Sequence, residues 1–367
     1  MNSLFKFNLT NVQNVSGQSS WKSPSNIALI KYWGKKEIQI PLNASLSFTL
    51  SNCYTECSIK YEPLIKPNNQ CNFELLFEGK REISFEEKLN IFFKRIVFYC
   101  PYLIDLKLTI DTKNSFPHSS GIASSASSYS ALSLCIMDIE KKINPTISSE
   151  YFFNKASFLS RLGSGSASRS VLGPLAIWGE SDFFKHSSNF FAVKYEEKLH
   201  GNFKNIQDTI LLVDKGKKHI SSTVGHDLMI NHSFSNDRLV QVNQNLKLLK
   251  NALISGDFEA FTHIVELEAL TLHAMMMTSS PYYILIKPNT LNIINEIWNY
   301  RKNTNSKVCF TLDAGANIHL LYPKKNFNEI QEFIFNNLSK FCQNGEFIND
   351  HLGNGCLLYT SDAADDG

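Results

Sequence analysis

Residues 116–127 read Phe116-Pro-His-Ser-Ser-Gly-Ile-Ala-Ser-Ser-Ala-Ser127. The stretch leaves a strand-like run, Leu106 to Asp111, and enters a helical one, Ser124 to Ile139. Small residues let a backbone come close to a ligand. Free N–H groups and the dipole at a helix start favour phosphate. Ser119, Ser120, Ser124, Ser125 and Ser127 add hydroxyls suited to phosphate or magnesium. No Gly-Lys-Ser/Thr occurs, so this is not a Walker loop, and the dinucleotide fingerprint G-x-G-x-x-G is absent here. On these residues alone, a polar loop with an ordinary Ser cap fits as well as a phosphate cradle.

Working outward, three more stretches carry chemistry. Asn26-Ile-Ala-Leu-Ile-Lys-Tyr-Trp-Gly-Lys35 ends a strand with two ammonium groups and a phenol close together. That set suits an anion, or is a solvated strand end with snorkelling lysines. Gly163-Ser-Gly-Ser-Ala-Ser-Arg-Ser170 offers hydroxyls and amides for a phosphate, and Arg169 offers a planar fork for a carboxylate. The bland reading is a flexible linker, yet Val171 to Trp178 resumes an apolar, strand-like pattern. Asp313, in Thr311-Leu-Asp-Ala-Gly-Ala-Asn317, sits at a strand end where a carboxylate also serves as a turn-former.

The Gly/Ser loop resembles the phosphate loop of the GHMP kinase superfamily, with Ile122 in the usual Leu place. The Asn26–Lys35 stretch resembles the signature of the mevalonate diphosphate decarboxylases within it, and Pro41-Leu-Asn-Ala-Ser-Leu-Ser47 resembles that family's continuation. Gly163–Ser170 is similar to the family's G-S-G-S-A-C-R-S, with Ser168 for Cys. Thr311–Asn317 is similar to F-D-A-G-P-N, with Leu312 and Ala316 for Phe and Pro. Ser221-Ser-Thr-Val-Gly225 resembles a substrate-contacting stretch, with His226 where Met is commoner. Lys88 falls where the family often has Arg on a helix, and Lys lacks the bidentate grip.

The resemblance implies a two-domain α+β fold: an N-terminal domain like domain 2 of ribosomal protein S5, a ferredoxin-like C-terminal domain, and a site in the cleft between them. It implies catalytic roles for Asp313, Lys31 and Arg169. Tyr32, Trp33, Gly34, Lys35, Lys88, Ser164, Gly165, Ser166, Ala167, Ser168, Arg169 and Thr223 would bind the substrate. Ser119, Ser120, Gly121, Ile122, Ala123, Ser124, Ser125 and Ser127 would bind the nucleotide. The cofactors implied are ATP, as co-substrate, and Mg2+, which arrives with ATP and has Ser124 or Ser125 as its candidate hydroxyl; no dedicated metal ligand is assignable. The implied reaction is ATP-dependent decarboxylation of mevalonate 5-diphosphate to isopentenyl diphosphate. Decarboxylation of the monophosphate, another small-molecule kinase activity of the superfamily, and a non-catalytic ligand-binding role are the competing readings. A homodimer is the implied assembly.

Composition sets the remaining bounds. The chain has 367 residues, enough for two domains. At 43% hydrophobic and 19% charged it has the material for a globular core. A formal net charge of +2 argues against a nucleic-acid or membrane-surface partner. Eight cysteines form neither a CxxC pair nor a zinc spacing, and read as reduced thiols. No apolar stretch reaches membrane-spanning length, and the first twenty residues lack a signal-peptide pattern, so a cytoplasmic location is expected. The domains expected are 1–205 and 206–355. Residues 356–367, Cys-Leu-Leu-Tyr-Thr-Ser-Asp-Ala-Ala-Asp-Asp-Gly, read as a non-native tail resembling a translated library adapter. Separate strands are expected at Ser45–Leu50 and Glu56–Glu62, and amphipathic helices at Glu86–Tyr99 and Phe327–Cys342.

Overall fold

A computed structural model describes residues 4–8, 15–66, 69–117, 122–216 and 222–358. Its first sheet is built on three long antiparallel strands: β1 (Gly17–Ile30), β2 (Ser45–Pro63) and β4 (Leu106–Asn114), with β3 (Asn72–Phe77) parallel to β4 on the far side. Helix α1 (Ile83–Ile96) follows β3; helices α2 (Ser124–Ile143) and α3 (Ser149–Gly163) follow β4. Cys57, Ile59 and Tyr61 of β2 and Leu106, Leu108 and Ile110 of β4 share one buried cluster with Leu134 and Cys135 of α2 and Leu159 of α3. Period-two alternation on the strands and a helical stripe opposite them produce that layer. Ser148 caps α3, its hydroxyl accepting from the Tyr151 amide at 3.1 Å, as its place before the helix leads one to expect.

The expected break between Ser45–Leu50 and Glu56–Glu62 does not occur: β2 runs unbroken for 19 residues. No Gly or Pro interrupts residues 51–55, and Cys53 and Thr55 keep the inward alternation. The strand changes partners instead. Its first part pairs with β5 (Leu175–Trp178), with Ser45 opposite Trp178, and its later part pairs with β4 from Thr55 onward.

The second sheet is four-stranded and antiparallel, in the order β7 (Cys309–Thr311), β8 (Ile318–Pro323), β6 (Ile206–Leu211), β9 (Phe347–His351). Helices α4 (Ser235–Ser255) and α5 (Phe258–Met277) lie on one face. Helix α6 (Pro288–Thr304) lies on the other, where Ile293 and Ile297 pack with Phe310, Ile318 and Leu320. Gly256 ends α4 at φ +85, and a Cβ there would sit 2.3 Å from the His200 ring; only glycine suits that joint. The helix expected over Phe327–Cys342 is α-helical only for Phe327–Phe333, then π-helical and 3-10.

The two sheets share a core. Leu29, Phe48 and Leu50 from the first cluster with Ile206, Ile210 and Leu321 from the second and with Leu246 and Phe261 from α4 and α5. A buried carboxylate clasps the same junction: Asp350 on β9 accepts the amides of Ser51, Asn52 and Cys53 at 2.8, 2.8 and 2.7 Å. Those amides lie where β2 changes neighbours. Within the segment set aside as a tail, Leu357 and Leu358 form a two-residue strand, β10, against Lys22 and Trp21 of β1; residues 359–367 lie outside the described residues.

Candidate active site

Lys31 follows β1 directly, and its ammonium is buried. It donates to the Ala28 carbonyl at 2.7 Å and to Asp313 Oδ1 at 3.0 Å, a partner 282 residues away. An ammonium has three donors, so one remains for a guest. Burial lowers its pKa from the lysine range, while the Asp313 and Glu268 carboxylates favour the cation. Asp313 lies between β7 and β8; its carboxylate is 30% exposed, so the pair is closed on the lysine side and open on the acid side. His273 of α5 holds the Asp313 carbonyl through Nε2 at 3.1 Å.

A second layer fixes the Lys31 backbone. Its amide donates to Glu268 Oε2 at 2.9 Å, and its carbonyl accepts from Asn43 Nδ2 at 2.9 Å. Glu268 is fully buried and gripped by both Arg238 nitrogens, at 2.7 and 2.5 Å, with Asn245 at 2.7 Å. A buried carboxylate needs such partners, since the desolvation penalty is several kcal/mol per ion, on the order estimated for protein interiors.

Arg169 is buried in the 3-10 segment Gly165–Ser170. Its Nε donates to Ser47 Oγ at 3.0 Å and one terminal nitrogen to Ser45 Oγ at 2.5 Å. Alternation on β2 puts both serines on one face, so the guanidinium lies along the strand. Three N–H groups remain for a ligand. Burial pushes its pKa down to about 10, with Asp313 and Tyr32 opposing the shift, so it remains a cation at neutral pH. The same Asp313 charge thus acts on both Lys31 and Arg169.

The two Gly/Ser stretches meet. Ser125 and Ser164 hydroxyls lie 3.4 Å apart, as do Ser164 and Ser166. Among the described residues no side chain caps α2, and Ala123 ahead of it is left-handed at φ +47. An uncapped helix start beside converging hydroxyls has the chemistry of an anion site. Gly165 lies against Tyr32 and Trp178: a Cβ there would be 2.9 Å from the Tyr32 ring and hydroxyl and 2.8 Å from the indole.

Some residues expected at the ligand are engaged within the fold. Ser127 is fully buried and bonded to Thr55 Oγ1 at 2.6 Å and the Ser124 carbonyl at 3.1 Å. Ser168 is buried and closes its own turn onto the Gly165 carbonyl at 2.8 Å. Ile122 and Ala167 are core residues. Trp33 is buried with Met229, Leu272, Met275 and Tyr283. Lys35 pairs with Asp227 at 3.6 Å. Lys88 lies exposed on α1; its turn is linked to the site through Tyr129, whose hydroxyl reaches the Lys88 carbonyl at 3.5 Å and whose ring abuts Gly163. Ser119, Ser120 and Gly121 lie outside the described residues; Thr223 is on the short helix Ser222–Asp227, and its side chain is likewise outside them.

With this geometry in place, family comparison is decisive. Residues 23–189 match the diphosphomevalonate decarboxylase-like N-terminal domain, and residues 209–362 match the mevalonate 5-diphosphate decarboxylase C-terminal domain. The chain belongs to the diphosphomevalonate decarboxylase family. A diphosphomevalonate decarboxylase of Schizosaccharomyces pombe is 28% identical over 362 residues, covering 95% of this chain and 88% of that one. The crystal structure of a mevalonate diphosphate decarboxylase from Legionella pneumophila is 30% identical with TM-score 0.75, covering 90% of this chain and all of the other. A solved complex of MDDEF with MVAPP, AMPPCP and magnesium is 26% identical with TM-score 0.80, over 95% of this chain and all of that one. The two-domain GHMP kinase-like α+β fold expected from the motifs is therefore the fold of the family and of this chain.

Membership in the decarboxylase family does not by itself reveal the supporting layer. Glu268, Arg238, Asn245 and His273 carry no local motif; their partners are up to 237 residues away in the sequence. Ser45 and Ser47 had a signal in the alternation of Ser45-Leu-Ser47, which puts both hydroxyls on one face of a strand.

Proposed function

We propose that this cleft phosphorylates and decarboxylates mevalonate 5-diphosphate, giving isopentenyl diphosphate, ADP, phosphate and carbon dioxide. The observation that carries the reading is the Lys31–Asp313 pair, buried on one side and open on the other, under the field of Arg169. Asp313 accepts the proton of the tertiary 3-hydroxyl as that oxygen bonds to the terminal phosphorus of ATP and the bond to ADP breaks. Lys31 offsets the negative charge on the transferred group. The carbon–oxygen bond at C3 then breaks, with phosphate taking its electron pair. The carboxylate's bond to C2 breaks too, its electrons forming the double bond as carbon dioxide leaves. Arg169 aligns the carboxylate through the N–H groups that Ser45 and Ser47 leave unused. A tighter clamp would oppose loss of that carboxylate, so its role is alignment.

Ser164 and Ser166 with Tyr32 and Lys35 receive the diphosphate, and the uncapped start of α2 receives the phosphates of ATP. Among the described residues no group of three or more His, Cys, Asp or Glu is placed to hold a metal. Mg2+ would arrive with the nucleotide, held by the Ser124 or Ser125 hydroxyl, where it would supply charge neutralisation on the phosphates. Eight free cysteines accord with a reducing, cytoplasmic location, and a homodimer, carried over from the resemblance, is checked by sedimentation.

An assay with ATP, Mg2+ and mevalonate 5-diphosphate tests the reading. ADP and carbon dioxide should appear in equal amounts. ADP without carbon dioxide would make the protein a kinase, and turnover only of the 5-phosphate would move the substrate class.

A further inference from the structure

Three consecutive residues of the second half grip three consecutive residues of the first. Gly225 lies against Trp33: a Cβ on it would be 2.6 Å from the indole edge. His226 Nδ1 accepts the Gly34 amide at 2.9 Å. Asp227 pairs with Lys35 at 3.6 Å. The His226 ring also packs on Tyr32, with centroids 4.2 Å apart, and on Trp33 at 4.7 Å. Tyr32 in turn bears on Gly165 and Trp178. Gly34 is at φ +92, and a Cβ there would meet Leu42 at 2.5 Å, so only glycine suits this turn.

We propose that His226 is the positioning residue that sets the diphosphate-binding turn Tyr32–Lys35, as a neutral imidazole with its proton on Nε2. An acceptor at Nδ1 requires that tautomer. The groups facing it are Lys35, Arg169, Asp227 and Tyr32. Burial, with Lys35 and Arg169 adding to it, holds its pKa down to about 3, which favours the neutral ring that the Gly34 contact requires. This chain orders the turn by a hydrogen bond that its second half supplies to its first.

This inference rests on the decarboxylase reading, and its test separates the two. His226→Leu removes the acceptor; His226→Asn restores one near the Nδ1 position. In steady-state assays His226→Leu should raise KM for mevalonate 5-diphosphate about tenfold or more, an effect of about 1.4 kcal/mol. Its kcat and its KM for ATP should stay within about threefold of the parent, and His226→Asn should recover most of the loss. An unchanged KM in His226→Leu, an equal rise in KM for ATP, or no recovery in a folded His226→Asn would overturn the proposal. If His226→Leu does not fold, nitrogen-15 NMR of the parent protein decides: His226 must show an unprotonated Nδ1 and a protonated Nε2 at pH 6, and any other state overturns the clamp. If the parent fails to turn over mevalonate 5-diphosphate, the functional reading fails, while the NMR result still judges the His226 contact.

Discussion

Arg169 shows why residue type matters more than charge at this site. Its fork reaches Ser45 and Ser47 together and has further N–H groups beyond those two bonds, which the proposed mechanism gives to the substrate carboxylate. Arg169→Lys keeps the charge but cannot span both serines and a ligand. A fall in kcat/KM of about 100-fold or more is expected, roughly 3 kcal/mol of transition-state stabilisation, read from steady-state kinetics. His226 makes a matching prediction in pH. Unfolded, it titrates near the ordinary histidine value; folded, it is held at about 3. Between these values the unfolded chain binds a proton that the folded chain refuses. The stabilisation is therefore fully present above about pH 6.5 and is lost as pH falls, by up to about 1.4 kcal/mol per unit. Urea unfolding at pH 7.5 and pH 5 should show the parent losing about 2 kcal/mol more than His226→Asn. Equal losses would mean that His226 is not held neutral in the fold.

At the scale of elements, the strand β2 joins sheet, junction and site. It presents Ser45 and Ser47 to Arg169, gives the amides of Ser51, Asn52 and Cys53 to Asp350, and then pairs with β4. Asp350→Ala would leave those partly buried amides without their acceptor. A cost of about 3 kcal/mol or more is expected, measured by denaturant unfolding. The sequence made part of this legible. The Gly/Ser turns, the Asn26–Lys35 stretch and Asp313 stood out because their family resemblance lies in short contiguous runs, while the residues alone left bland alternatives open. Ser148 was legible because a cap is local. Asp350, Glu268 and Arg238 were not, since their partners lie more than 200 residues away or on another element. The unbroken β2 was missed because a strand that changes partners shows no turn residue at the change. The burial of the Ser127 and Ser168 side chains was not legible, because composition alone does not tell which serine of a turn faces inward.

At the scale of the molecule, two halves meet so that charges from each complete one site. Lys31 and Arg169 come from the first, Asp313 and the Glu268–Arg238 pair from the second. The apolar junction of Leu29, Phe48, Ile210 and Leu321 sets their spacing, so the chemistry depends on how closely the sheets pack. The central claim is that the Asp313 carboxylate does the proton work beside Lys31. The most direct measurement is single-turnover formation of ADP and carbon dioxide by Asp313→Asn, with both ligands shown by calorimetry to bind. Asn keeps the size and a carbonyl acceptor for Lys31 but cannot take a proton. A fall of about 1,000-fold or more in rate with near-normal binding is the expected result; turnover within about tenfold of the parent would contradict it.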